Sequence, residues 1–254
     1  MDDLIIEAGR AEAHYWRDLW RYRDLFFFLA WRDLLVRYKQ TVFGVLWAVL
    51  RPFLTMTIFV VIFSRLAGLP SDGVPYALLV LGGMLPWQFF ATALADSSSS
   101  LVTNANLITK IYFPRIILPA SSVIVALVDF AITLGLMVLV MAWYRYLPPV
   151  RIVLLPIFVV LALVSALGPG LIATALNVKY RDFRFVIPFI VQFGLYVSPV
   201  GFKSSVIEEK LGPIARLVYA LNPMVGVIDG FRWCIGVQPT LHVGALAILS
   251  LIHI

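Results

Sequence analysis

Two ionisable side chains, Arg51 and Asp129, lie inside long apolar stretches of the sequence. Charged groups at such positions are costly in a membrane and usually serve a function. Arg51 either extends its guanidinium to the membrane surface or faces a hydrophilic channel, where it would bind an anionic phosphate or a sugar acid. Asp129 either hydrogen-bonds a neighbouring helix or faces a wet cavity. Each pair of interpretations stays open from the sequence.

Aromatic side chains are concentrated near the ends of the apolar stretches. They form either a belt at the membrane–water interface or a path along which flat sugar rings stack on aromatic rings. The residues of this group are Trp47, Trp87, Phe89, Phe90, Tyr196 and Phe202.

The sequence contains no signature of ATP binding or of catalysis. The phosphate-binding pattern G-x-x-x-x-G-K-[ST] and the hydrolase patterns H-E-x-x-H and G-x-S-x-G are all absent. The single cysteine and three scattered histidines predict neither a disulfide nor a metal site. The serines at 97–100 have no histidine nearby and are interpreted as a helix end or a turn. We therefore predict no catalytic residue, no metal and no cofactor bound by this chain.

The composition indicates a membrane protein. Hydrophobic residues make up 61% of the chain and charged residues 13%, against a usual charged share of about 25%. Lipid must therefore be the solvent for much of the surface. The net charge of +6 comes from dispersed basic residues, which favours membrane orientation over a nucleic-acid partner.

Apolar stretches predict the membrane spans. Five of them, at 43–64, 74–95, 116–142, 152–176 and 183–202, approach the roughly 20 residues that a bilayer requires. A sixth begins near Leu241 and reaches the end of the sequence after about 14 residues, so we expect a truncated final helix. The predicted fold is an all-α integral membrane protein with a six-helix transmembrane bundle, over residues 42–254.

Residues 1–41 are predicted as a separate N-terminal segment with an amphipathic helix from about 14 to 40. Its apolar residues recur at helical spacing between charged ones, which is typical of a helix that lies in the membrane interface against lipid. Asp33 and Arg37 stand one turn apart and can pair. Basic residues in this segment also favour a cytoplasmic N-terminus.

Two connections are long enough to have a function. The first, at 96–115, is polar and then amphipathic, and lies on the predicted cytoplasmic side. The second, at 203–239, is apolar but interrupted by helix breakers such as Gly212-Pro213 and Asn222-Pro223. It is predicted to form short re-entrant helices on the outer side, buried in protein.

Several linked motifs, in order along nearly the whole chain, resemble ABC-2 type permeases. The closest branch exports O-antigen, teichoic acid and related polysaccharides. The motifs are RYKQT at 37–41, GVLWAVLRP at 44–52, GGMLPWQFF at 82–90, NANLITK at 104–110, FPR at 113–115, Pro119, YRD at 180–182, SPV at 198–200 and NPM at 222–224.

The resemblance implies a homodimer around a central channel in the bacterial cytoplasmic (inner) membrane. Each subunit would contact a separate ATPase subunit, which binds the ATP and Mg, and the cargo would be a lipid-linked glycan. Arg51 departs from the family pattern, in which an uncharged polar residue is frequent at that position.

The resemblance and the motifs together predict three groups of site residues. The ATPase-docking residues are Asn104, Asn106, Lys110, Tyr112, Phe113, Pro114 and Arg115. The channel or substrate path comprises Trp47, Arg51, Trp87, Phe89, Phe90 and Asp129. The external gate comprises Ser198, Pro199, Asn222 and Pro223.

Three alternative functions remain at this point. An ABC-2 permease for a drug or small lipid would share the motifs. An ion-coupled carrier would need coupling acids in several spans, and only Asp129 lies near the middle of one. A membrane-embedded enzyme such as a glycosyltransferase would need acids or histidines clustered at one membrane face, and the sequence offers none.

Overall fold

The computed structural model describes residues 15–39, 44–71, 73–238 and 240–241. The described part is helical and has no strand. A π-helical stretch, Val60–Leu66, continues α3, and a 3-10 turn, Val150–Leu154, leads into α7. The helices are α1 (Tyr15–Arg21), α2 (Arg23–Lys39), α3 (Gly44–Phe59), α4 (Tyr76–Thr103), α5 (Ala105–Ile108), α6 (Ile117–Trp143), α7 (Leu155–Lys179), α8 (Phe183–Val197), α9 (Ser205–Leu211), α10 (Pro213–Tyr219) and α11 (Pro223–Ile235).

Four helical segments are long and apolar enough to cross a membrane: Leu46–Leu66, Tyr76–Thr103, Ile117–Trp143 and Val150–Lys179. They match the first four predicted spans. The fifth prediction, 183–202, is helical only over the 15 residues Phe183–Val197. Ser198 is extended there because the following Pro199 disfavours a helical conformation of the residue before it. The predicted final helix lies outside the described residues, apart from Leu241 itself.

Helix α4 is the centre of the fold, with α6, α7, α8 and α11 packed around it. The four residues from Leu78 to Leu81 are fully buried. Gly82 and Gly83 follow, and they let Ile235 and Arg232 of α11 approach the α4 backbone. Because lipid gives helices little hydrophobic reason to associate, such small residues are what permit close packing in a membrane.

The loop predicted to begin at residue 96 is helical as far as Thr103, so that prediction was wrong over this part. Ser98 and Ser100 donate hydroxyl hydrogen bonds to carbonyls one turn earlier in the same helix. Helix α7 donates hydrogen bonds to two backbone carbonyls of this part of α4. Thr174 donates to the Ser97 carbonyl at 2.8 Å and Asn177 to the Ser98 carbonyl at 2.9 Å. The serines are therefore the buried seam of two packed helices.

The predicted N-terminal helix is present as α1 and α2. One side of α2 packs on α6 and the preceding connection through Leu29, which contacts the cluster of Phe113, Ile117 and Leu118. The opposite side leaves Phe27 and Trp31 exposed. The helix therefore has one apolar side on protein and another exposed, and its position at a lipid interface stays a prediction.

The predicted broken segment after α8 consists of the short helices α9 and α10 followed by α11. The Asn222 side chain caps α11 by accepting a hydrogen bond from the Met224 amide at 3.0 Å. The helix ends at Gly236, whose φ of +83° is the left-handed conformation that suits glycine.

Candidate functional site

A cavity of about 1060 Å³ opens between α2, α3, α4, α6 and α8. Helix α3 presents one face to it, because Trp47, Arg51 and Thr55 follow each other at intervals of four residues. Helices α4, α6 and α8 and the end of α2 line the rest of the cavity. Five predicted path residues line this cavity: Trp47, Arg51, Trp87, Phe89 and Asp129.

The sixth predicted path residue, Phe90, does not line the cavity. Its ring packs against Trp87 with a centroid distance of 5.4 Å. Trp87 in turn lies against Gly194 of α8, where a Cβ atom would come within 2.6 Å of the indole ring. The absence of a side chain at Gly194 thus fixes where the Trp87 ring enters the cavity wall.

The end of the cavity nearest α2 is charged. Arg37 donates to Asp129 at 2.8 Å and to Asp96 at 3.3 Å, and the Tyr38 hydroxyl also donates to Asp129. Asp129 therefore bonds a neighbouring helix, which confirms that interpretation, and it also lines the cavity. Arg37 ties α2 to α4 and α6 through these two acids.

Burial and the hydrogen bond to Asp129 raise the pKa of the Tyr38 hydroxyl above its ordinary value. The hydroxyl therefore keeps its proton and remains a donor to the carboxylate at any physiological pH.

The sequence analysis missed Arg37 and Tyr38 as cavity residues. The expected pair of Asp33 with Arg37 was wrong, because Asp33 accepts from Arg32 at 2.7 Å while Arg37 turns to the acids of α4 and α6. The signal available was the motif at 37–41, which the resemblance singled out without giving its first two residues a role.

Arg51 lines the cavity in an exposed position. Its guanidinium makes no ion pair and no side-chain hydrogen bond with the residues that the structure describes. Arg51 thus lies at the predicted cavity position, and its role as an anion-binding channel residue stays a prediction.

The predicted docking loop divides into anchors and surface residues. Phe113 is only 5% exposed, and Asn104 accepts a hydrogen bond from Arg32 of α2 at 2.9 Å. These two residues hold the loop in place, and Phe113 is too buried to contact another protein directly. Pro114 is half-buried. The exposed members are Asn106, Lys110, Tyr112 and Arg115.

The predicted gate residues meet at the end of α8. Asn222 donates to the Ser198 hydroxyl at 3.0 Å, so the residues before Pro199 and Pro223 are joined. Arg232, which is not among the predicted gate residues, is fully buried beside them. Its guanidinium donates to three carbonyls, those of Leu79 at 3.0 Å, Val200 at 2.8 Å and Phe202 at 2.8 Å.

No group of three or more His, Cys, Asp or Glu side chains that could hold a metal ion occurs within the described residues.

Comparison with known proteins gives consistent results. The sequence model of the ABC-2 type transporter family matches residues 24–235. The chain is 31% identical over 216 residues to the O-antigen export system permease protein RfbA of Myxococcus xanthus, covering 85% of this chain and 82% of that protein. It is 29% identical over 210 residues to the O-antigen export system permease protein RfbA of Klebsiella pneumoniae, covering 82% and 79% respectively.

Proposed function

Because the chain belongs to the ABC-2 type transporter family, we propose that it is the permease subunit of an ABC exporter for lipid-linked polysaccharide. It would act in the bacterial cytoplasmic membrane with its N-terminus in the cytoplasm. A separate ATPase subunit would bind ATP and Mg and supply the energy. Relatives named as O-antigen export permeases support the cargo class.

The observation that carries this proposal is the cavity of about 1060 Å³. Its walls bring Trp47, Trp87, Phe89 and Tyr196 together with a few polar groups, which is the usual construction of an organic ligand site. Flat sugar faces can stack on such rings while hydroxyls reach Gln88 or Thr92. The cavity is too large for a single ion.

A second copy of the chain would close the cavity. The span Leu46–Leu66 is only 11% buried within one subunit, against 78% for Tyr76–Thr103. Helix α8 carries a further free face with the stacked pair Phe189 and Phe193 exposed. Since α3 and α8 both line the open cavity, pairing two subunits along them would create a closed channel.

The connection between α4 and α6 offers the surface for the ATPase. Asn106, Lys110, Tyr112 and Arg115 project from it. Its tie to α2 through Asn104 and Arg32 joins it to the helix that also reaches Asp129 in the cavity. A movement imposed on this surface would thus reach the charged end of the cavity.

The segment from Ser198 to Phe202, with Asn222 and Pro223, would form the external gate. It lies beyond the extended break at the end of α8 and is fastened by Arg232 and by Tyr76, whose hydroxyl donates to the Gly201 carbonyl at 2.6 Å. A short irregular segment held by side chains can change conformation without unfolding a helix.

Co-purification tests the partnership. The tagged chain, co-expressed with its ATPase and mildly solubilised, should retain that ATPase, and replacing Lys110 and Arg115 by Glu should release it. The matched control reverses two exposed charges elsewhere, Arg65→Glu and Lys210→Glu, and should retain it. Failure of the native chain to retain any ATPase would contradict the exporter proposal.

Complementation tests the cargo. A strain lacking its O-antigen permease should regain surface polysaccharide when this chain and its ATPase are expressed. Retention of the ATPase without restored polysaccharide, in strains supplying several glycans, would indicate an ABC-2 permease for a drug or lipid instead. The pairing of Asp129 and Asp96 with Arg37 argues against an ion-coupled carrier, because both acids are already engaged.

A further inference from the structure

Three charged side chains line the cavity: Arg37, Asp129 and Arg51. The first two neutralise each other at a distance of 2.8 Å, and Asp96 adds a second carboxylate to Arg37. Arg51 differs because it has no acidic partner among the described residues.

The position of Arg51 makes the missing partner informative. It stands in the interior of α3, within a segment apolar enough to cross a membrane, where a charged side chain is costly unless it reaches water, a partner or a ligand. Trp47 and Thr55, one turn to either side, face the same cavity. Arg51 therefore lines the same cavity as the aromatic rings that would bind the cargo.

From this geometry we infer that Arg51 recognises an oxyanion of the cargo, a phosphate or a carboxylate, which its planar fork can bind through two parallel hydrogen bonds. The inference rests on the proposed function, because it assigns the cargo's charge within the same cavity. Two sources carry this chemistry: the phosphate of the lipid carrier and the acid group of a sugar.

Binding to the permease–ATPase complex in nanodiscs tests the inference. Trp47 and Trp87 line the cavity, so their fluorescence reports occupancy. The probes are a polyprenyl phosphate and a glucuronate oligosaccharide, each compared with its uncharged counterpart, polyprenol and a glucose oligosaccharide. Arg51→Gln should weaken binding of at least one anionic probe by roughly tenfold or more, since a hydrogen bond to a charged group is lost.

Three controls make the result specific. Arg65→Gln removes the same charge from the same long helix at an exposed position outside the cavity and should leave binding unchanged. Arg51→Lys keeps the charge without the fork and should lose less affinity than Arg51→Gln. The uncharged probes are the third control, and the Arg65→Gln and Arg51→Lys variants should bind them as the native chain does.

The probe that depends on Arg51 identifies the source of the anion, lipid phosphate or sugar acid. Unchanged binding of both anionic probes to the Arg51→Gln complex overturns the inference, as does a native complex that binds neither. Export is measured separately: if Arg51 governs anion binding in a complex that exports no polysaccharide, the anion site stands and the proposed cargo falls.

Discussion

Removal of the buried Arg232 guanidinium should loosen α11 from the segment 198–202, which Arg232 holds through the Val200 and Phe202 carbonyls. Replacing Arg232 by Met keeps much of the side chain's length and leaves the carbonyls of Leu79, Val200 and Phe202 without their donor. Hydrogen bonds to a charged group are each worth roughly 1.5–3 kcal/mol. Part of that is offset because the native charge is itself costly to bury. We expect a net loss of about 3 kcal/mol in the free energy of local opening.

The chain contains its own reporter for this effect. Cys234 is its single cysteine, lies two residues after Arg232 and is fully buried. A maleimide reagent reaches it only through opening of α11, so the labelling rate follows the opening equilibrium. Since each 1.4 kcal/mol is a factor of ten, Arg232→Met should accelerate labelling roughly a hundredfold.

Mass spectrometry of the labelled chain, in the permease–ATPase complex, measures the rate. Arg65→Met, at an exposed position of the π-helical stretch Val60–Leu66, should label at the native rate. If Arg232→Met also labels at the native rate, the three hydrogen bonds of Arg232 do not hold α11 in place. The assignment of Arg232 as the residue that fastens the gate is then refuted.

Three further predictions concern other contacts. Arg37→Asp or Asp129→Arg alone should lower the melting temperature of the complex, and the double variant should recover part of the loss, because the exchanged charges can pair again; purely additive losses would disprove the coupling. Gly194→Val should reduce polysaccharide export without loss of membrane insertion, because it displaces the Trp87 ring; unchanged export would exclude Trp87 from the cargo path. Gly236→Ala should cost about 1–3 kcal/mol of stability in a denaturation assay, because alanine resists a positive φ.

Sequence alone predicts the spans because length and apolar composition are local properties. It fails where polarity is hidden by a neighbour. The serines at 97–100 were interpreted as a helix end or a turn, but the hydroxyls of Ser98 and Ser100 bond their own helix. Thr174 of α7 donates to the Ser97 carbonyl. The end of α8 was placed five residues late, because apolar residues continue past Pro199 although the helix cannot.

The cavity lining was predicted in its aromatic part, and in its charged part for Arg51 and Asp129 but not for Arg37. Trp47, Trp87 and Phe89 could be predicted because aromatic residues near the ends of apolar segments are recognisable from sequence alone. Arg37 was assigned to the nearest acid on its own helix, whereas its partners are 59 and 92 residues away. Pairing of charges across helices depends on how the helices pack, and residue spacing along the chain does not give that packing.

The hydrogen-bonded seam between α4 and α7 has a mechanical consequence. Because Thr174 and Asn177 both donate to α4 carbonyls, these two helices can neither slide nor rotate against each other without breaking these two buried hydrogen bonds. Any widening of the cavity during transport then falls to α3 and α8, which have few such ties. A covalent cross-link between α4 and α7 should therefore leave export intact, whereas one between α3 and α4 should stop it. The subunit would then contain one rigid pair of helices, α4 and α7, while α3 and α8 move.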